Sequence, residues 1–105
     1  MKTLITASDN NTEALFDKRF GRAAWFCVYD EDSKDIEFIE NMNVNANNGA
    51  GTKAAEKAVE LDIKKIISGD FGPKAKDLLT KFQIQMVIIQ EDELTINQII
   101  NTLTG

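Results

Sequence analysis

Histidine is absent from all 105 residues, which removes the commonest imidazole base and metal ligand. A hydrolytic triad of the usual kind cannot form without it, and no carboxylate pair stands at a recognisable catalytic spacing, so the chain reads as a non-enzyme. Cysteine occurs once, at Cys27. No internal disulfide can close, and a secreted disulfide scaffold is excluded. A lone Cys without His or a second Cys makes no zinc or iron–sulfur site, and mid-strand it reads as a small core hydrophobe. Long apolar runs are missing as well. Leu4-Ile5 is broken within a few residues by Ser8-Asp9, too short for a signal core or a membrane span, so the expected compartment is the cytoplasm. The net charge of −5 argues against a nucleic-acid partner, whose phosphates need clustered Lys/Arg, and against an acidic membrane surface. Arginine is scarce: Arg19 and Arg22 are the only two, and both lie in FDKRFGRAAWF, residues 16–26.

What is present suits one soluble globular domain over residues 1–105, with 43% hydrophobic and 28% charged residues. KTLITA (2–7) reads as a strand, followed by a polar loop from Ser8 to Glu13. AAWFCVYD (23–30) alternates, with Ala24, Phe26 and Val28 on one face and Trp25, Cys27 and Tyr29 on the other. EDSK (31–34) is a turn into a second alternating strand, DIEFIE (35–40), which completes an antiparallel hairpin. NMNVNANNGAG (41–51) has no periodicity and reads as a mobile loop. Then come a helix over 52–61, a strand over 64–68, a turn at 69–72 and a helix over 73–82 with Pro73 at its first position. A strand over 85–89 and a last helix capped by Asp92, with Ile96, Ile99, Ile100 and Leu103 on one stripe, finish the chain. KKIIS and QMVII are apolar without alternation, as expected of parallel strands covered on both faces. The order β-β-β-α-β-α-β-α defines an α/β fold with a mixed five-stranded sheet and helices packed on it.

That order has a functional consequence. With strand one antiparallel to strand two and strand two to strand three, the remaining strands run parallel through right-handed crossovers. Four segments then share one sheet edge: Ser8 to Asn11, the RFGRA loop, the Asn/Gly loop and Gly69–Gly72. This carboxyl edge is the usual ligand side of an open α/β sheet. Two helices begin there, so Arg19 and Arg22 join free backbone N–H groups in the outline of an anion site. A charge-assisted hydrogen bond contributes ~1.5–3 kcal/mol. The bland alternative is an ion pair between an arginine and Asp9, Asp17, Asp30 or Asp70, at ~0–1 kcal/mol and with no ligand.

Phe20-Gly21-Arg22-Ala23 with Phe26 following resembles the "HFGRA…F" signature of the dinitrogenase iron–molybdenum cofactor biosynthesis family. Gly49-Ala50-Gly51 opening an Ala-rich helix is similar to its "GAG…AA" segment. Ile67-Ser68-Gly69-Asp70-Phe71-Gly72-Pro73-Lys74-Ala75 is similar to its strand–"GxxGPKA"–helix segment. The resemblance spans roughly residues 3–90 in order. It implies a three-layer ribonuclease-H-like sandwich, without ribonuclease activity, since no acidic cluster stands at matched strand ends. It also implies a small accessory protein that carries an iron–molybdenum or other metal–sulfur cofactor, or meets a protein partner in cofactor assembly. Many members have His where this chain has Arg19. Arginine offers only donors and cannot coordinate a metal, so the expected mode is electrostatic.

The candidate binding residues are therefore Arg19, Phe20, Gly21, Arg22, Asn48, Gly49, Gly51, Gly69 and Gly72, with no metal ligand and no catalytic residue. Ser68–Gly72 resembles a phosphate-cradling turn but lacks the Gly-Lys-Ser/Thr ending, and reads as a tight turn using glycine dihedrals. Two functions compete. One is a carrier of an anionic metal cofactor or oxyanion. The other is an interaction or regulatory module that kept the fold and lost the metal-ligating histidine.

Overall fold

A computed structural model describes residues 1–104; Gly105, the end of the expected domain, lies outside the described residues. In chain order the elements are β1 (Lys2–Ala7), β2 (Trp25–Asp30), β3 (Ile36–Glu40), α1 (Ala50–Glu60), β4 (Ile63–Ser68), α2 (Pro73–Lys81), β5 (Gln85–Ile88) and α3 (Ile96–Thr104). The strands form one mixed sheet in the order β3-β2-β1-β4-β5. β2 runs antiparallel to both neighbours, while β4 lies parallel to β1 and β5 parallel to β4.

Strand alternation divides the core. Leu4, Phe26, Val28 and Ile66 point to the face covered by α1 and α2, whose Ala54, Ala55, Ala58, Ala75 and Leu79 meet them. Ile5, Cys27, Tyr29 and Ile67 point to the other face, where Ile96, Ile99 and Ile100 of α3 cover them. Two helices on one face and one on the other make three layers. Each fully buried Leu, Ile or Phe contributes about 1.5–3 kcal/mol. No described helix is long and apolar enough to cross a membrane.

Several boundaries differ from the sequence reading. α1 starts at Ala50 rather than Thr52, because Gly51 is helical and packs inside the first turn. β4 starts at Ile63, and its register to β1 shifts between Lys2 and Thr3, leaving Lys64 as the extra residue. β5 is an edge strand with Gln85 and Ile88 exposed, so cover on both faces holds for β4 and not for β5. Asp92 does not cap α3. Thr95 does, through a reciprocal box in which Gln98 N–H donates to Thr95 Oγ1 (3.2 Å) and Thr95 N–H donates to Gln98 Oε1 (2.8 Å). Asp92 instead pairs with Lys18 Nζ at 2.6 Å.

Candidate functional site

The carboxyl ends of β1, β3, β4 and β5 and the start of β2 share one edge of the sheet. The FGRA segment lies across it. Phe20, 1% exposed, stands against Phe71 with ring centroids 5.1 Å apart and planes at 45°. Gly21 lies against the first turn of α1. A Cβ built on it would sit 2.5 Å from Gly51 N and 2.8 Å from Ala50 C, so only glycine fits this approach. Ala23 N–H donates to Arg19 O at 2.9 Å and closes the turn.

Asn41, buried just after β3, holds the segment from behind. Its Nδ2 donates to Gly21 O (3.0 Å) and Ala23 O (2.8 Å), and its Oδ1 accepts from Asn43 N (3.1 Å). Thr6 Oγ1 donates to Asp17 O at 2.5 Å and also lies 2.9 Å from Ser68 Oγ, so β1, β4 and the entry to FGRA are joined by buried hydroxyls. Asn41 and Thr6 were not singled out from sequence. An Asn directly at a strand end was the available signal for Asn41.

The two arginines diverge. Arg19 Nε and Nη2 donate to Asp17 Oδ1 (3.1 Å) and Oδ2 (2.9 Å), a bidentate pair. Asp17 Oδ1 also accepts Arg19 N–H at 2.9 Å. Hydrogen bonding to Asp17, then its charge, pushes the Arg19 guanidinium above its ordinary range. The Arg19 side chain is nonetheless 67% exposed, against 10% for Asp17. Arg22 turns the other way. Its Nη1 donates to Val44 O (3.0 Å) and Ala46 O (2.6 Å), tying down the asparagine loop. Two carbonyls of that loop are thus bonded to a guanidinium. Of the four aspartates considered as partners, Asp17 is the one engaged, and by Arg19.

Both helices at this edge begin without a side-chain cap. Gly49, with φ 72°, precedes α1 and Gly72 precedes α2, and neither first turn contains an acidic residue. Their N–H groups therefore keep unneutralised partial positive charge. Asn48 and Gly49 are exposed beside them. Gly69 is different: it is buried, its N–H donates to Lys18 O (3.1 Å), and Gln90 Nε2 donates to its carbonyl. A Cβ there would lie 2.5 Å from Lys18 O. The turn thus needs Gly69 for close approach, not for a left-handed dihedral, and Gly72 has an ordinary φ of −63°. Of the expected site residues, Gly21 lies against Gly51, Arg22 holds the loop that leads to Asn48 and Gly49, and Phe20 and Gly69 are part of the packing. Arg19 turns to Asp17 instead, with no contact joining it to Gly49 or Gly72 among the described residues.

Arg19 and Arg22 offer only hydrogen-bond donors, so neither can coordinate a metal. Among the described residues no three His, Cys, Asp or Glu side chains gather. Cys27 is fully buried mid-sheet, and burial pushes its thiol up to about 12. Two concavities lie near the edge, one of about 620 Å³ between β3 and α1 and one of about 400 Å³ between α1 and α2. Neither is lined by Arg19 or Arg22.

A three-layer α/β domain with a glycine-rich loop edge is the class that these features define. The chain belongs to the dinitrogenase iron–molybdenum cofactor family, whose model matches residues 1–104. Among solved structures it is similar to the apo form of the orange protein from Desulfovibrio gigas, at 30% identity and TM-score 0.87, covering 95% of this chain and 83% of that one. A putative NifB protein from Thermotoga, TM1290, described as a DUF35 family member, matches at 22% identity and TM-score 0.82, over 98% of this chain and 86% of that one. PH0822 matches at 22% identity and TM-score 0.77, over 100% and 91%; these two share the fold. No curated protein sequence matches.

Proposed function

We propose that this protein is a carrier that holds an anionic metal–sulfur cofactor, or an oxyanion, at the carboxyl edge of its sheet without catalysing a reaction. The reading is supported by two helix N-termini without side-chain caps on the sheet edge that also carries the loop of Arg19 and Arg22, in a family named for such a cofactor. Arg19 supplies an exposed guanidinium to the cargo. Gly49, with open space where a side chain would stand, lets the backbone at the start of α1 approach it, and the exposed Asn48 offers amide donors. The cargo's oxygens or sulfides accept hydrogen bonds, and its metal keeps its own ligands.

Titration with molybdate and phosphate, followed by amide NMR, tests this. Signals of Gly21 and Gly51 should move with an affinity of roughly micromolar to millimolar, and Arg19→Ala should weaken the response several-fold. Unmoved signals at millimolar anion would sink the proposal. A second reading, a cofactor-free module that docks another protein, is favoured by one fact: Arg22 Nη1 is engaged with the loop carbonyls of Val44 and Ala46. Under that reading Arg22→Ala leaves anion titrations unchanged.

A further inference from the structure

β3 ends the sheet on one side, and its flanks show which backbone groups face outward. Asp30 N–H donates to Asp35 O and Asn41 N–H donates to Ala24 O, each at 3.0 Å. With Glu37 opposite Val28 and Ile39 opposite Phe26, residues 35, 37, 39 and 41 bond to β2. The N–H and C=O groups of Ile36, Phe38 and Glu40 therefore point out of the sheet. Three consecutive outward positions form a ladder ready for another strand.

The concavity of about 620 Å³ runs beside this ladder, between β3 and α1. Its floor is apolar, formed by Phe26, Ile39 and Ala54, and Met42 overhangs it with 80% of its surface exposed. Glu40, Glu56 and Glu60 stand on its rim together with the exposed Lys53. Lys57, also on the rim, already lies 3.6 Å from Glu60. Glu37 projects on the same face as Ile39.

We propose that β3 and this groove take an extended segment of a partner protein, added as a further strand, with a short β-branched apolar run flanked by lysines or arginines. The outward ladder calls for an extended backbone, and the period of two sets alternate side chains over the Phe26–Ile39–Ala54 floor. The flexible thioether of Met42 adapts to the side chain beneath it. Glu37, Glu40, Glu56 and Glu60 outnumber Lys53 and Lys57 around the groove, and this acidic balance calls for cationic flanks. A second copy of this chain is disfavoured by the same charges, because two β3 strands would bring two sets of Glu37 and Glu40 into one ribbon between chains of net charge −5. This names a surface and partner chemistry for the interaction reading and does not depend on anion binding.

A fluorescein-labelled peptide with valine–isoleucine–valine between lysine pairs is the probe, measured by anisotropy and amide NMR on the full chain. Expected is saturable binding at about 10–500 μM, with the amides of Ile36, Phe38 and Glu40 shifted and protected from exchange. Glu40→Pro, which removes an outward N–H and no sheet bond, should weaken binding at least about tenfold. Glu56→Lys should weaken it roughly threefold or more. Equal affinity for a peptide with glutamates replacing the lysines would overturn the proposal, as would no shift at millimolar peptide. Shifts at Gly21 and Gly51 instead of β3 would overturn this surface while leaving an interaction role standing. Concentration-dependent dimerisation that protects β3 without peptide would overturn it in favour of a second copy.

Discussion

Gly21 and Gly51 look equivalent in the sequence, and the structure predicts opposite outcomes when each becomes alanine. At Gly21 the new Cβ would meet Gly51 N at 2.5 Å and Ala50 C and Gly51 Cα at 2.8 Å. Carbon contacts are comfortable at about 3.5–4.0 Å, so FGRA and the first turn of α1 must separate by roughly an ångström. The obstacle is backbone, which cannot rotate away as a side chain would. Asn41, which holds the carbonyls of Gly21 and Ala23, opposes the shift. Overpacking of this kind costs about 1–3 kcal/mol, a fall in Tm of roughly 4–20 °C for a domain of this size. At Gly51 the Cβ would meet only Ala75 Cβ, at 3.7 Å, an ordinary contact. Gly51→Ala should therefore gain about 0.5–1 kcal/mol from helix propensity. Urea unfolding followed by Trp25 fluorescence measures both, with unchanged m-values confirming that native stability moved. A neutral Gly21→Ala, or a Gly51→Ala as damaging as Gly21→Ala, would refute the packing argument.

Other expectations follow from the same geometry. Arg22→Ala removes the donor that holds Val44 O and Ala46 O, so it should cost about 1–3 kcal/mol. Amide exchange over residues 42–49 should quicken before the sheet amides change. Cys27 should resist alkylation in the folded protein and react fully in urea, because its thiol is buried and pushed up to about 12. A raised folded pKa gives stability that is complete below the unfolded thiol's pKa and lost as pH rises towards 12. Stability should thus fall above about pH 9, by up to about 1.4 kcal/mol per pH unit, and Cys27→Ala should flatten that slope.

The elements were legible where a single period dominates. Residues 25–29 alternate cleanly, and each side chain faces the core cluster its parity implies. Strand order then follows from short connections and right-handed crossovers, so the loops that meet at one edge could be named without coordinates. Local chemistry was harder to read. Asp92 is a good capping residue by type, yet Thr95 with Gln98 completes a reciprocal pair and Asp92 is drawn to Lys18. The destination of Arg22 was hidden for a different reason. Its acceptors are carbonyls more than twenty residues away, presented only once the loop after β3 folds back. Carbonyls carry no residue signature, so charge pairing drew attention to aspartates instead.

The division of labour inside FGRA leads to a sharper test of the edge. Phe20 is core, Gly21 is a contact point for α1, and Arg22 anchors a loop; each would be needed for packing even without a ligand. Arg19 alone is largely exposed, with Asp17 as its partner. Replacing it should change what the edge presents while leaving its architecture intact. Arg19→His should alter stability by no more than about 1 kcal/mol, since the guanidinium is largely in solvent and Asp17 keeps its bond from the backbone N–H of residue 19. Its imidazole should be charged near pH 5.5 and neutral near pH 8, around an ordinary pKa of about 6.5. Sulfate keeps the same charge across that range, so it serves as the probe. Sulfate-induced shifts at Gly21 and Gly51 should be nearly pH-independent in the native protein. In Arg19→His they should persist at the lower pH and fade at the higher one. A variant whose sulfate response ignores pH would mean that the charge at position 19 does not reach the bound anion, and that the helix N-termini hold it unaided.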